Sequence, residues 1–214
     1  MATAALNIRH RQHIQFMLDP ETPIFTQAQI AGSRLSAAQR DALVLSHRTT
    51  EQRRILNGPT ATEYRVWPWG GGLVHVAAMV PDFAFVGVSA TIFAGGRIGM
   101  RTKVYGNARI FGSVQKNATV RGNAVVQAEG HVTDSAIVGG NADIGDLVWI
   151  GGSVRVAGDM ILRGRLKFNG FFTLCGDFTV ENAGSDAWRV MIGSEIIVRA
   201  KGLRPYLSIQ ADQP

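Results

Sequence analysis

Histidine is the side chain best suited to exchange protons near neutral pH, and two of the five histidines, His75 and His131, lie in the central part of the chain. A lone histidine on a surface has no catalytic role in most proteins, and no Ser/His/Asp set can be assigned from the scattered residues. Gly70, Gly71 and Gly72 lack the Lys-Ser or Lys-Thr that follows in a phosphate-binding loop. The single cysteine, Cys175, excludes an internal disulfide and a cysteine-cluster metal site.

Composition and charge narrow the class of protein further. The chain has 214 residues, of which 46% are hydrophobic and 18% charged, and no apolar run is long enough to span a bilayer. The N-terminus lacks the pattern of a secretory signal, and a single cysteine fits a reducing compartment, so a cytoplasmic protein is expected. The acidic residues Asp134, Asp143 and Asp146 show no cation-binding spacing. We therefore predict no metal, no cofactor and no membrane partner.

A six-residue period of apolar side chains runs through the middle of the sequence. Nineteen positions follow it, with one step of four after Ile110: Val74, Val80, Val86, Ile92, Ile98, Val104, Ile110, Val114, Val120, Val126, Val132, Val138, Ile144, Ile150, Val156, Leu162, Phe168, Leu174 and Val180. Chance would give a far more broken series. This period does not fit an α-helix, because the glycine in almost every unit would cost about 1 kcal/mol in a helix interior.

The residues between the apolar positions predict a chain that turns a corner every six residues. In the series that resumes at Val114, the residue two positions after most apolar residues is glycine or aspartate. These residue types tolerate positive φ. Four positions after, the residue is small as far as Ala142, so large and small side chains alternate on the inside of short strands. From Val148 onward it is large, which predicts either wider coils or a different β arrangement. The pattern predicts an all-β parallel β-helix of about six coils.

The repeat resembles the bacterial hexapeptide-repeat superfamily over residues 74–180, half of the chain. The V-x-G-N-A units at residues 104–108, 120–124 and 138–142 look most like acyltransferase-like members of bacteria and phages. The resemblance implies a left-handed parallel β-helix of three hexads per coil. Superfamily members that transfer acyl groups from coenzyme A thioesters are typically trimers with a histidine as general base. His131 is the candidate base on this resemblance, but no inserted loop would wall its groove.

The two ends of the chain lack the period and divide it into three parts. Residues 1–66 are predicted to form a small helical appendage, with a capping box at residues 36–39 and a stop at Gly58. Residues 67–184 form the β-helix, and Trp67 and Trp69 are expected to plug its open first coil. Residues 185–214 form a tail in which two strand-like runs predict a hairpin that caps the last coil.

One surface pattern points to an interface. Phe93 and Phe111 are eighteen residues apart and His75 is eighteen before Phe93, so all three should stack on one outer face of a three-hexad coil. We expect this column to mediate homotrimerisation or contact with another protein. The alternative is that the appendage covers it within one chain.

The basic residues give a weaker signal. Six of them between positions 97 and 121 have no acid among them, but Arg97, Lys103 and Arg109 should fall on successive faces as a ring. Nucleic acid is therefore not the expected partner.

The leading functional hypothesis is a non-catalytic, oligomeric β-helix scaffold or binding protein. A coenzyme A-dependent acyltransferase is the alternative, which rests on fold-level resemblance alone. A self-assembling polymer, like the bacterial bactofilins, is the third.

Overall fold

The chain folds into a parallel β-solenoid of about six coils, preceded by one short helix, as the predicted period requires. The computed structural model describes residue 36 and residues 45–171, 173–177, 179–182, 187–192 and 195–201. Within these residues each coil contributes one short strand to each of three sheets, which we call faces 1, 2 and 3.

The three faces follow one another along the chain in a fixed order. Face 1 contains β1 (Tyr64–Val66), β2 (Leu73–His75), β4 (Thr91–Ile92), β7 (Arg109–Ile110), β10 (Val125–Val126), β13 (Asp143–Ile144), β16 (Ile161–Arg163), β19 (Thr179–Asn182), β20 (Ala187–Ile192) and β21 (Glu195–Lys201). Face 2 contains β5 (Arg97–Ile98), β8 (Ser113–Val114), β11 (His131–Val132), β14 (Trp149–Ile150) and β17 (Lys167–Phe168). Face 3 contains β3 (Phe85–Val86), β6 (Lys103–Val104), β9 (Thr119–Val120), β12 (Ile137–Val138), β15 (Arg155–Ala157) and β18 (Thr173–Cys175).

The four-residue step after Ile110 shortens one corner and leaves the strand pairing intact. Strand β8 still pairs in parallel with β5 and β11, so Val114 lies between Ile98 and Val132. The corner that joins β7 to β8 consists only of Phe111 and Gly112. A Cβ atom at Gly112 would lie 2.1 Å from the carbonyl oxygen of Gln127, so the tight corner requires glycine.

The inner side of the coils forms one continuous apolar core. All the regularly spaced apolar residues from Val86 to Val180 are buried, and the small residues Ala108, Ala124 and Ala142 alternate with them. Val148 and Met160 are also fully buried, although they replace the small residues of earlier coils. Strands β13 to β18 keep the same parallel register, so the alternative of a different β arrangement is wrong for these coils.

Glycine at the corner between faces 3 and 1 is required by the stacking of the coils. Gly122 and Gly140 lie one above the other with φ of +68° each, and Gly158 follows with +91°. A Cβ atom at Gly140 would lie 2.6 Å from both the amide nitrogen and the carbonyl oxygen of Gly158. The glycine of the V-x-G-N-A unit therefore serves both a left-handed turn and a close backbone contact.

The described part of the appendage contains one complete helix. Helix α1 (Thr50–Asn57) has its own capping box, in which Thr49 is the N-cap and Gln52 the reciprocal partner. The chain is not helical at residues 47–49. The predicted helical appendage is therefore interrupted before Thr49, which starts a new helix, and the stop at Gly58 is confirmed. Residues 37–39 of the predicted capping box lie outside the described residues.

One tryptophan covers the N-terminal end of the core, and α1 is attached to the first corner beside it. Trp67 is buried in the core, and its indole nitrogen donates a hydrogen bond to the carbonyl of Ala84 at 2.8 Å. Trp69 is 43% exposed, so its predicted share in the plug is wrong. The Gln52 amide donates to the carbonyl oxygens of Val88 (3.0 Å) and Ala90 (2.9 Å), which fixes α1 to the first corner between faces 3 and 1.

The C-terminal end carries the predicted hairpin. Strands β20 and β21 pair antiparallel with each other, and β20 pairs antiparallel with β19. The hairpin therefore extends face 1 beyond the last coil. None of the helical segments in the described part of the chain has the length and apolar character that a membrane crossing needs.

Candidate binding face

Phe93 and Phe111 form a stacked pair on the outside of face 1. Their rings are 4.2 Å apart between centroids and inclined by 12°. They stack because β4 and β7 pair in register and each phenylalanine follows the last inward residue of its strand. Both side chains are half-buried. The alignment predicted from the eighteen-residue spacing is therefore present, and its role as an interface remains a prediction.

Tyr64 partly covers the N-terminal end of the aromatic column that His75, Phe93 and Phe111 form. Tyr64 on β1 makes edge contacts with His75 at 5.0 Å and with Phe93 at 6.3 Å between centroids. His75 also lies 3.6 Å from the carboxylate of Glu63, and its Nδ1 accepts a hydrogen bond from the amide of Ala77. Burial, with the nearby carboxylates of Glu63 and Glu51, raises the pKa of the Tyr64 phenol. His75 is thus held by local contacts.

A polar cleft of about 310 Å³ lies beside the phenylalanine pair, between α1 and the corner that joins faces 3 and 1. Glu51 on α1 and Arg109 on β7 face each other across it at 3.7 Å, and both side chains are more than 40% exposed. The cleft is lined by hydroxyl, amide and charged groups: Thr49, Thr50, Glu51, Ser89, Thr91, Asn107, Arg109 and Asn123. It supplies hydrogen bonds to a polar molecule, but its lining contains no histidine or cysteine.

The asparagine of the V-x-G-N-A unit forms a ladder along the same corner. The side-chain amide of Asn107 donates to Asn123 at 2.9 Å, Asn123 donates to Asn141 at 2.7 Å, and Asn141 donates to Asp159 at 2.5 Å. Each bond joins neighbouring coils. Sequence reasoning assigned these residues only to the corner; the recurrence of Asn after Gly at the coil spacing is the signal that could have indicated a ladder.

His131 stands alone on face 2. It is exposed on β11, between Ser113 on β8 and Trp149 on β14. Within the described residues no carboxylate lies at ion-pair distance from its ring, so nothing orients the imidazole as a base is oriented in a catalytic pair. Nor do three possible ligands gather at a metal site in that part of the chain. The candidate base predicted from the family resemblance therefore has no ion-pair partner in the part of the chain that the structure describes.

The basic residues lie on the faces that the coil count predicts. Arg97, Lys103 and Arg109 lie on faces 2, 3 and 1, so the predicted ring is confirmed. Arg109 is the member that faces Glu51.

The N-terminal closure also contains a buried cation. Arg48 is 7% exposed and donates from Nη2 to the carbonyl of Gly71 at 3.3 Å, while its Nη1 has no hydrogen-bond partner among the residues that the structure describes. Burial lowers the pKa of the Arg48 guanidinium.

A comparison of the chain with protein-family models found no match, and a comparison with curated proteins found no significant one.

Proposed function

We propose that this protein is a non-catalytic, oligomeric β-solenoid that binds other protein surfaces, including copies of itself, through face 1. The observation that supports this most directly is the half-buried stack of Phe93 and Phe111 on the outside of a flat sheet. In a single copy of the chain this pair exposes apolar surface to solvent. Contiguous exposed apolar surface is typical of interaction sites.

The three flat faces favour a closed trimer as the assembly. A cyclic trimer buries the same face of each subunit and leaves no open edge. Full burial of one phenylalanine contributes about 1.5–3 kcal/mol. Because both rings are already half-buried, each would contribute roughly half of that, or about 1.5–3 kcal/mol per subunit for the pair.

We place the solenoid with the hexapeptide-repeat superfamily as part of this proposal, and in the cytoplasm on the strength of its single cysteine. The hexad period and the left-handed glycine corners support the first assignment. An acyltransferase activity is less well supported, because His131 lacks a polar partner among the described residues. A polymer is less well supported because Trp67 covers the N-terminal end of the core.

Light scattering coupled to size exclusion tests the proposal on the double variant Phe93→Glu/Phe111→Glu. We expect a trimeric wild type and a folded, monomeric variant. Phe171→Glu is the matched control, because Phe171 is 89% exposed at a corner away from face 1; this variant should remain trimeric.

Three results would count against the proposal. A monomeric wild type would indicate that Tyr64 and the appendage are the intended cover of the column. A double variant that stays trimeric would show that the interface lies on another face. Turnover of a coenzyme A thioester that is lost in His131→Ala would favour the acyltransferase.

A further inference from the structure

The corner that joins faces 2 and 3 carries exposed apolar and cationic side chains side by side in its first two coils. We call this surface the cationic–apolar corner and define it by Met79, Phe83, Arg97, Met100, Arg101 and Lys103. All six are exposed, and Phe83 is 71%, Met100 60% and Met79 58% exposed. The sequence analysis grouped the three cations with other basic residues but did not place them beside the apolar side chains.

Strand pairing fixes their proximity. Met79 forms a parallel bridge with Arg97 on face 2, and Phe85 pairs with Lys103 on face 3. Phe83 belongs to the corner of the first coil, and Met100 to the same corner of the second coil. The apolar tips therefore lie between Arg97 on face 2 and Lys103 on face 3.

The charge of the corner is largely uncompensated. Within the described part of the chain, Arg97, Arg101 and Lys103 form no ion pair and no side-chain hydrogen bond. In the third coil Lys116 adds a cation, but it is paired with Asp134 at 2.5 Å. The exposed acid within the corner is Asp82. The corner therefore carries three cations and one carboxylate.

The backbone of the corner gives an independent sign of function. Arg101 has φ of +61°, and the same corner of later coils places Lys116 (+59°), Asp134 (+61°), Gly152 and Gly170 in positive φ. An L side chain is less stable than glycine in this conformation. Lys116 and Asp134 pair with each other, but Arg101 keeps an exposed cation where glycine would be more stable, which is consistent with a residue retained for binding.

We propose that the cationic–apolar corner docks on an anionic lipid surface. The cations attract the negative headgroups, and Phe83 and Met100 enter the interface between headgroups and acyl chains. A corner between two flat sheets is convex, so it offers no groove for an extended peptide, whereas a fluid lipid surface adapts to it. Nucleic acid would use the cations but leave the exposed apolar tips without a partner.

This inference replaces the sequence-based expectation of no membrane partner. That expectation rested on the lack of a spanning segment, and a surface contact depends on residues that only the coil brings together. It does not depend on oligomerisation through face 1, which lies on a different side of the solenoid.

Co-sedimentation with vesicles tests the proposal on the full chain. The wild type should bind vesicles of phosphatidylcholine with phosphatidylserine and not vesicles of phosphatidylcholine alone, and binding should weaken as salt is raised. Arg97→Ser/Arg101→Gly should weaken binding about fivefold for each cation removed. Arg101→Gly should leave the melting temperature unchanged or raise it, because glycine relieves the strained φ.

Two further variants distinguish binding at the corner from a general effect of the protein's positive charge. Arg155→Ser/Lys167→Ser removes the same charge from later coils of faces 3 and 2 and should bind as the wild type does. Phe83→Ser/Met100→Ser should also weaken binding if the apolar tips enter the lipid.

Several outcomes would overturn the proposal. It is wrong if the wild type does not bind anionic vesicles, or if both charge variants lose binding equally. It is also wrong if Phe83→Ser/Met100→Ser binds as tightly as the wild type. Tighter binding of duplex DNA or polyglutamate than of vesicles at the same salt, lost in Arg97→Ser/Arg101→Gly, would assign the corner to a different partner.

Discussion

Replacing Gly140 by alanine tests the stacking of the coils at a single atom. Gly140 has φ of +68°, a conformation that costs an L side chain about 1–2 kcal/mol. The new Cβ would also lie 2.6 Å from the backbone nitrogen and oxygen of Gly158. These are backbone atoms of the next coil, which cannot rotate away, and overpacking of this kind costs about 1–3 kcal/mol.

The two effects together predict a loss of about 3 kcal/mol in the free energy of unfolding. For a chain of this size that corresponds to a melting temperature lower by about 6–12 °C. Thermal and urea unfolding followed by circular dichroism would measure both quantities.

The neighbouring glycine supplies the control. At Gly139 the backbone is in an ordinary conformation, and a Cβ would meet only the Arg121 side chain, at 3.3 Å from its Cγ. That flexible side chain can move, so Gly139→Ala should change the free energy of unfolding by less than about 1 kcal/mol. Equal effects of the two substitutions, or an unchanged melting temperature for Gly140→Ala, would refute the argument that backbone contact between coils requires glycine here.

Two further predictions concern the appendage and acid stability. Gln52→Glu keeps the acceptor of the capping box but sets a carboxylate against the carbonyls of Val88 and Ala90, so it should destabilise the protein by more than about 1 kcal/mol. Thermal unfolding should show the loss, while exposed Arg54→Ala should show little; equal melting temperatures would mean that α1 is not held by these bonds. The amide of Gly152 and the ammonium of Lys116 lower the pKa of Asp134, so its contribution to stability is present above the unfolded value of about 3.9 and is lost as pH falls through the folded pKa. Melting temperature measured against pH should therefore fall less steeply below pH 4 in Asp134→Asn than in the wild type or in Asp82→Asn, and identical slopes would contradict this.

The family resemblance and the structure agree on architecture and leave chemistry open. The glycine and alanine of each V-x-G-N-A unit hold the turn and the core, and its asparagine joins the coils. All of these roles are structural. The hexad pattern is therefore an argument for the solenoid and not for acyl transfer, and His131 gains no support from it.

The sequence alone determined the coil and the faces on which side chains lie. An inward residue every six positions, followed by a residue able to adopt positive φ, is a local rule that each coil obeys by itself. The stack of Phe93 and Phe111 could be predicted for the same reason, because their spacing equals one full coil. The shortened corner at Gly112 could be located from the single break in the period.

Only the tertiary structure decided which separate segments meet. Trp67 and Trp69 are alike in sequence, but only Trp67 lies over the open coil, where its indole reaches the carbonyl of Ala84. The anchoring of Gln52, the polar cleft and the cationic–apolar corner likewise join segments whose spacing follows no repeat. Such contacts depend on the path of the chain between the segments and on the backbone groups left unpaired at the end of the solenoid. A local pattern does not encode either of these.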